Sequence, residues 1–541
     1  MTWRLWQVLP LVCLCLLFVF VSSSQALANS NTTSNEELAR QLSEKSWDKL
    51  ETTVTHLSAK GDDKSQKLLT LWLSGQLFIE KSTGRLVTGN KSGRLYLIAD
   101  PITDEALGEV KKRSLKKIRI NNRLRNSIRT ALALWDLKSE DPEKRLQAVK
   151  ETSRNLQADT LAILKTMLEK ESDEDVHSAL TTAVALYQIQ QGSDELKLQS
   201  LEILSESDDP FVRSVLESAK TETKNKEILL GIDTALADMD RRQEYYSAIE
   251  SVFFGLSLGS VLLLAAIGLA ITFGVMGVIN MAHGEMMMLG AYTTFVIQSA
   301  FPSFLEQSLF IAIPAAFVVA GTVGILIERL VIRHLYGRPL ETLLATFGIS
   351  LILQQAVRTV FSPLNQAVST PEWLSGSWVI NEALSLTWNR VYIIGFSLAV
   401  FLTLLFILRY TRFGLNVRAV TQNRAMANSM GIPTHRIDAL TFGLGSGIAG
   451  VAGVALSQLT NVGPNLGQNY IIDSFMVVVF GGVGNLWGTL VAAMSLGVVN
   501  KLLEPWAGAV VAKILVLIFI ILFIQKRPKG LFALKGRAVE D

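Results

Sequence analysis

The chain has 541 residues, with 51 Lys and Arg against 48 Asp and Glu, and 49% of its residues are hydrophobic. This composition excludes a disordered or collagen-like chain, and a net charge of +3 gives no reason to expect nucleic-acid binding. The charges are unevenly placed: residues 1–247 hold 34 basic and 36 acidic residues, whereas residues 248–541 hold 17 and 12. We therefore expect a water-exposed front part and an apolar back part that lies in a membrane.

The N-terminal segment, residues 1–28, has the three parts of a secretory signal peptide. A basic residue precedes the apolar run Leu9–Val21, and small residues follow up to Ala26-Leu27-Ala28. The run is short for a membrane span, although an uncleaved anchor is the alternative. Cleavage after residue 28 would remove the chain's only cysteines, Cys13 and Cys15. The mature protein would then hold no disulfide and no cysteine-ligated metal.

Residues 29–247 have helical spacing of apolar residues over most of their length, so we expect a mostly helical extracytoplasmic domain. One stretch differs. Arg85–Thr88 and Arg94–Ile98 have the composition of strands, and Gly89–Gly93 between them supplies turn residues, which predicts a small hairpin. A basic patch follows at Lys111–Arg129. We interpret it as a solvated surface, with contact to lipid headgroups or a partner as the alternative.

Residues 141–220 contain a weak internal repeat. Three similar segments begin with an acidic residue and continue with small and apolar residues at core spacing: residues 141–149, 173–180 and 209–216. Arg145, His177 and Arg213 occupy equivalent positions. This pattern is typical of HEAT-like helix pairs, in which each unit buries its face only by stacking on the next. An irregular helical bundle is the alternative.

Residues 248–541 contain long apolar runs broken by glycine and proline, and they predict an α-helical polytopic membrane domain of about nine spans. We expect the spans at roughly 251–277, 280–300, 307–328, 341–361, 391–409, 438–459, 470–485, 487–503 and 507–525. Several are barely long enough, which is typical of re-entrant or broken helices that line cavities. Basic residues cluster after the third, fifth and last of these, so the positive-inside rule places the C-terminus in the cytoplasm and the front domain outside.

The first motif, Gly277–Tyr292, joins the first two expected spans and carries Asn280, His283 and Glu285. Polar and ionisable groups at such a place are costly, so they serve either to satisfy a tight turn or to contact a permeating solute. Further amides lie within or between spans, where interhelical hydrogen bonding is the alternative role. The candidates for the solute pathway are Asn280, His283, Glu285, Gln354, Gln355 and Asn485.

The second motif, Tyr410–Ile432, combines arginines with small residues between two spans. It predicts a short amphipathic helix that fits a groove on a partner while its arginines pair with an acidic rim. An ordinary solvated loop is the alternative. The candidate contact residues are Arg412, Phe413, Gly414, Arg418, Ala419, Asn423, Met430 and Gly431.

The third motif, Phe480–Thr489, joins two short spans and contains four glycines that permit a backbone reversal or close helix approach. They are Gly481, Gly482, Gly484 and Gly488. The motif lacks the Lys-Ser/Thr of a phosphate-binding loop, and G-x-x-x-x-G-K-[ST] occurs nowhere in the chain. Any ATP-driven step must therefore come from another subunit, and we expect no enzyme activity, metal or cofactor in this chain.

These three motifs, in this order, resemble the permease family of branched-chain amino acid and urea ABC importers over residues 250–530. The stretch Asn280–Met288 and the long front extension resemble the urea-transporting members most. The resemblance implies a permease subunit that moves urea, or a similar small neutral amide, across the inner membrane by alternating access. A branched-chain amino acid permease of the same family is one alternative; a passive small-solute channel and a membrane-anchored scaffold are the others.

The resemblance also implies partners. These are a second related permease, two cytoplasmic ATPases that dock on Arg412–Gly431, and an extracytoplasmic solute-binding protein. Membrane lipid would surround the spans, and no nucleic acid is expected.

Overall fold

The computed structural model describes residues 39–42, 46–92, 95–154, 156, 158–381 and 383–532. The expected signal peptide lies outside these residues. The chain divides into two compact units between Asp240 and Arg241. Both this division and the expected boundary after residue 247 fall inside one helix, Lys226–Met276. The two units are described separately below.

The first unit contains a five-stranded antiparallel sheet. Its strands are β1 (Leu77–Glu80), β2 (Leu86–Ser92), β3 (Leu95–Ala99), β4 (Ala106–Lys111) and β5 (Leu115–Lys117), in the order β4-β3-β2-β1-β5. The predicted hairpin is present, because β2 and β3 pair from Thr88↔Ala99 to Ser92↔Leu95. Its turn was predicted wrongly, since Gly89–Ser92 lie in strand β2 and pair with β3. Three of the four strand pairings in this sheet lie outside that hairpin, so the unit is less purely helical than its spacing predicts. β5 has only three residues and β4 is mostly exposed, so neither strand shows a clear alternation of apolar and polar residues in the sequence.

The helices of the first unit have apolar faces that pack on each other and on this sheet. They are α1 (Trp47–Lys60), α2 (Asp63–Leu73), α3 (Asn122–Asp136), α4 (Pro142–Ser153), α5 (Ala158–Leu168), α6 (Glu174–Gln191), α7 (Asp194–Ser205) and α8 (Pro210–Glu222). Leu69, Trp72 and Ile128 are fully buried in one core with Leu86 of the sheet. Leu186, Leu204 and Leu216 belong to a second core farther along the chain.

The three repeat segments each begin a helix with the same aspartate cap. The side chains of Asp141, Asp173 and Asp209 accept hydrogen bonds from backbone N–H groups at the starts of α4, α6 and α8. Arg145 and Arg213, at equivalent positions of α4 and α8, each pair with an acidic residue about one helix pair later, Glu171 and Asp240 respectively. These contacts agree with a repeated helix pair, and the HEAT-like assignment stays a prediction.

The second unit is helical, apart from a small hairpin of β6 (Ser377–Val379) and β7 (Ser385–Thr387). Its helices are α9 (Lys226–Met276, which begins in the first unit), α10 (His283–Ala300), α11 (Ser308–Leu330), α12 (Pro339–Phe361), α13 (Trp388–Tyr410), α14 (Arg412–Gln422), α15 (Arg424–Ser429), α16 (Thr434–Ser457), α17 (Leu466–Gly481) and α18 (Leu486–Lys526).

Among the described residues, six helices are long and apolar enough to cross a membrane: Lys226–Met276, Pro302–His334, Pro339–Phe361, Trp388–Tyr410, Thr434–Ser457 and Leu486–Lys526. This number does not confirm the nine spans predicted from the sequence. The difference lies in three places: α10 carries ionisable residues, α17 has only 16 residues, and the last two expected spans form the single helix α18. That helix is interrupted at Gly508, whose φ is 77°. The count of nine therefore stays a prediction.

Helix α16 is buried along almost its whole length, and glycines bring its backbone against the neighbouring helices. A Cβ added to Gly290 of α10 would lie 1.9 Å from the carbonyl oxygen of Gly450. One added to Gly453 would lie 1.9 Å from the carbonyl oxygen of Met287. Backbones this close leave no room for a side chain, as in other helix contacts built on small residues. This packing fixes α10, and with it Glu285, against α16.

Candidate permeation site and coupling segment

The break between α9 and α10 is held by side-chain hydrogen bonds. Asn280 is fully buried, and its Oδ1 accepts a hydrogen bond of 3.0 Å from the backbone N–H of Ala282. The N–H of Met281 donates to Thr346 Oγ1 of α12 over 3.1 Å. Helix α10 then begins at His283, so Glu285 falls in its first turn. The turn-satisfying role considered for Asn280 is thus present in the structure.

Glu285 is the centre of a buried polar cluster with α12. Its side chain is 1% exposed, and Oε1 accepts hydrogen bonds from Ser350 Oγ at 2.9 Å and Gln354 Nε2 at 2.7 Å. Gln354 Nε2 also lies 3.3 Å from Ser350 Oγ. The second carboxylate oxygen, Oε2, is buried and has no hydrogen-bond partner among the described residues. One oxygen is therefore fixed by the protein, and the other is left to accept a hydrogen bond.

Two neighbouring polar side chains also keep unused atoms. Asn280 Nδ2 and His283 Nδ1 are buried without a hydrogen-bond partner in the described part of the chain. The His283 Nε2–H donates to the carbonyl oxygen of Ala265 in α9 over 2.9 Å, so His283 faces α9 whereas Glu285 faces α12. Buried polar atoms are nearly always paired, so a group of unpaired ones within a membrane domain is a functional hypothesis.

The polar face of α12 separates the two adjacent glutamines. Gln354 is buried against Glu285, whereas Gln355 is exposed on the other side of the helix and makes no described contact with the cluster. The sequence contained the signal that distinguishes them, because buried polar side chains recur every four residues along α12. They are Thr342, Thr346, Ser350 and Gln354. Residues at this spacing share one face of a helix, and the same rule would also have identified Ser350.

Asn485 lies elsewhere in the unit. Its Oδ1 accepts a hydrogen bond of 3.2 Å from the N–H of Gly488 and so caps the start of α18. With Arg418 and Gln422 of α14 it lines a cavity of about 480 Å³. The structure therefore groups Asn485 with the second motif and not with Glu285.

The glycines of the third motif make a tight reversal between α17 and α18. A Cβ on Gly488 would lie 2.1 Å from the carbonyl oxygen of Gly481, so these two backbones touch. Gly482 and Gly484 have φ angles of 104° and 79°, which only glycine adopts readily. Both uses considered for these residues, reversal and close approach, are present together.

The second motif folds as two short helices, α14 and α15, and not as the single short helix predicted from the sequence. The side chain of Thr411 caps α14 by accepting from the N–H of Gly414, and Asn423 caps α15 by accepting from Met426. A Cβ on Gly414 would lie 2.0 Å from the carbonyl oxygen of Leu408, so the start of α14 is pressed against the end of α13. Arg418 Nη1 donates to that same oxygen over 2.5 Å.

One face of this segment is buried and the other is exposed. The buried residues of the segment, Val417, Val420 and Ala427, form a small core with Ile437 of α16. Arg412, Asn423, Met430 and Gly431 are exposed, Gly414 is buried, and Phe413 and Ala419 are half-buried. Met430 is 77% exposed and Met426 62%, which is unusual for apolar side chains. An apolar surface of this kind on a short helix suits a groove on a partner.

Arg424 ties the segment to the central helix α16, a contact that the sequence analysis did not identify. Its Nη2 donates to Asp438 Oδ1 over 2.6 Å, and its guanidinium lies 4.5 Å from the ring centroid of Tyr336. Burial raises the pKa of the Tyr336 phenol, and its hydroxyl donates to Glu328 Oε1 over 3.1 Å. The Asp438 side chain is only 2% exposed. An aspartate at the start of an apolar span draws attention to Asp438 in the sequence, but its partner is not apparent there.

Among the described residues, no three His, Cys, Asp or Glu side chains gather so as to hold a metal ion.

Comparison with known proteins gives a consistent match. Residues 251–524 match the family described as branched-chain amino acid transport system / permease component. The chain is 30% identical over 299 residues to the high-affinity branched-chain amino acid transport system permease protein LivH of Salmonella typhimurium, covering 53% of this chain and 96% of the relative. It is 31% identical over 300 residues to the corresponding protein BraD of Pseudomonas aeruginosa, with the same coverage.

A more distant relative is the ribose import permease protein RbsC of Escherichia coli, 26% identical over 283 residues, covering 50% of this chain and 84% of the relative. No solved structure matches the chain significantly. The matched residues contain all three motifs and both the Glu285 cluster and the α14–α15 segment. This chain belongs to the family of branched-chain amino acid transport system permease components.

Proposed function

We propose that this chain is the membrane-spanning subunit of an ATP-driven importer and that it moves urea, or a similar small neutral amide, across the inner membrane by alternating access. The observation that carries the proposal is the Glu285 cluster, in which Ser350 and Gln354 fix one buried carboxylate oxygen and leave the other without a partner. An amide N–H is a suitable donor to that oxygen. The Nδ2 group of Asn280, which has no hydrogen-bond partner among the described residues, is a suitable donor to the carbonyl oxygen of the same class of solute.

The α14–α15 segment supports ATP coupling from outside the chain. Its exposed apolar side chains provide a docking surface, and the Arg424–Asp438 pair connects that surface to α16. Helix α16 in turn packs backbone to backbone on α10, which carries Glu285. Movement imposed on the segment by an ATPase would thus reach the solute site through rigid contacts. The proposed partners are two ATPases, a second permease and a solute-binding protein.

The distribution of basic residues supports an orientation. The α14–α15 segment contains Arg412, Arg418 and Arg424, and the positive-inside rule favours the cytoplasm for such a segment. With nine spans, the N-terminal domain would lie in the periplasm and the C-terminus in the cytoplasm.

A branched-chain amino acid is the second candidate solute. The two relatives with about 30% identity, both named as branched-chain amino acid permeases, favour it. So does the apolar surrounding of Glu285, where Met286, Met287 and Met288 are fully buried. In that reading the carboxylate would hold the α-amino group, and the methionines would adapt to the side chain.

A direct uptake assay decides between these candidates. The complete transporter would be reconstituted in liposomes and supplied with labelled urea or labelled leucine, with and without internal ATP. The proposal expects ATP-dependent uptake of urea and little uptake of leucine. Leucine uptake without urea uptake would establish the second candidate, and rapid urea flux through this chain alone without ATP would show a passive channel.

A further inference from the structure

A second polar site lies in the membrane unit, apart from the Glu285 cluster. It is a cavity of about 550 Å³ between the connection that follows α12, the connection between α16 and α17, the start of α17, and α18. Its lining includes four asparagines: Asn365, Asn461, Asn465 and Asn469. All four asparagines are exposed, so the cavity opens to solvent.

The walls of the cavity are fixed by backbone and side-chain hydrogen bonds. Gln366 and Val462 exchange two backbone hydrogen bonds, of 2.7 and 2.9 Å, which join the two connections. Arg358 Nη2 of α12 donates to Asn465 Oδ1 over 2.7 Å. Asn461 and Asn469 are exposed, and their side chains make no hydrogen bond to other described residues, so their amide groups are open to solvent and to a solute.

The charges around the cavity favour a neutral solute. Lys513 is the basic side chain in the described lining of the cavity, and its Nζ forms an ion pair with Asp473 Oδ2 at 3.2 Å. No carboxylate belongs to the lining formed by the described residues, although an α-amino group would need one. Each asparagine side chain has an NH2 group that donates hydrogen bonds and a carbonyl oxygen that accepts them, and these groups complement those of an amide solute.

Two contacts connect the cavity to Glu285. Arg358, which bonds Asn465, lies one helical turn from Gln354, which bonds Glu285. The backbones of Gly284 and Gly467 also touch, since a Cβ on Gly284 would lie 2.5 Å from the Gly467 carbonyl oxygen. The residue before Glu285 thus packs against a residue two positions after Asn465.

We propose that this asparagine cavity is an entry site that selects a small neutral amide and passes it along the polar face of α12 to Glu285. The proposal rests on the proposed function, because it assumes that the Glu285 cluster contacts the solute. It adds a second recognition site with its own residues, of which Asn461 and Asn469 are the principal ones. In this arrangement, selection against charged solutes takes place before the solute reaches the buried carboxylate.

The test uses the complete transporter in liposomes with internal ATP, saturating loaded binding protein, and labelled urea as the probe. Asn461→Ala and Asn469→Ala are each expected to reduce the initial uptake rate about 2- to 10-fold, the effect of losing one neutral hydrogen bond. Asn469→Gln, which keeps an amide, should recover part of the rate. Gln307→Ala is the matched control, because Gln307 is an exposed amide outside the cavity.

Stimulation of ATP hydrolysis by the loaded binding protein is measured in parallel. Reduced uptake with normal stimulation supports the entry site. Uptake equal to that of Gln307→Ala overturns it while leaving the role of Glu285 intact. Loss of stimulation as well would place the asparagines in assembly and overturn the entry site. A wild-type transporter that carries labelled leucine and not urea would overturn both this inference and the proposed function.

Discussion

The Arg424–Asp438 pair allows a quantitative test of how the α14–α15 segment is attached to the membrane helices. In Arg424→Gln, the Asp438 carboxylate would stay buried but lose the cation that donates to it at 2.6 Å. Leaving a buried polar group without its partner costs about 1–3 kcal/mol. The Arg424 side chain is 39% exposed, so water reaches the pair and the lower half of that range is expected.

Thermal unfolding of the purified transporter measures this cost. At about 2–4 °C per kcal/mol for a domain of 150–250 residues, the midpoint for Arg424→Gln should fall by about 2–8 °C. Asp438→Asn is the matched variant. It should cost less, because it leaves a partly exposed cation instead of a buried anion. The double variant should then be about as stable as Asp438→Asn and more stable than Arg424→Gln.

The same variants address coupling. If the pair transmits movement from the segment to α16, Arg424→Gln should hydrolyse ATP without a matching rate of solute uptake. Wild-type stability in Arg424→Gln, or strictly additive costs in the double variant, would refute the reasoning from burial. Normal coupled transport by a destabilised Arg424→Gln would refute the transmission role alone.

Three further predictions concern other sites. Gly290→Ala should lower the yield of monodisperse protein, because its Cβ would overlap the backbone of α16 at a cost of about 1–3 kcal/mol. Gly348→Ala is the control and should be tolerated, because the space around Gly348 is open. Equal yields of the two variants would contradict this packing. Glu285→Gln should reduce labelled-urea uptake about 10- to 100-fold by removing a charged acceptor, and unchanged uptake would exclude solute contact there. The hydrogen bond from Arg145 lowers the pKa of Glu171 in the folded protein. The ionised Glu171 therefore stabilises the fold fully above the unfolded pKa of about 4.3, and this stabilisation is lost as pH falls through the lower folded pKa. Hydrogen exchange around this pair should therefore be faster in Glu171→Gln than in wild type at pH 6, with the difference shrinking below pH 4; a constant difference would refute the assignment.

The sequence predicted the site best where chemistry stood out from an apolar background. Glu285 and Asn280 were conspicuous between two spans, and the glycines of Phe480–Thr489 predicted the reversal between α17 and α18. The choice between Gln354 and Gln355 was also within reach, since the four-residue spacing of polar residues on α12 identifies the buried one.

Other features could not be predicted from local patterns. Asn485, a candidate for the solute pathway, caps α18, and only the three-dimensional arrangement places it beside α14. The pairing of Asp438 with Arg424 bridges 14 residues and two helices, so no periodicity reveals it. In the first unit, β5 has only three residues and is recognisable as a strand only through its pairing with β1.

The burial of α16 determines where a spectroscopic reporter can be attached. Any cysteine placed on its inner positions would push apart two backbones that already touch, so a fluorophore there would report damage instead of motion. An outward position away from the proposed docking surface, such as Gln355, can carry a dye without disturbing the packing. Since the native cysteines are confined to Cys13 and Cys15, replacing those two with serine would leave a thiol introduced at such a position as the only one in the chain.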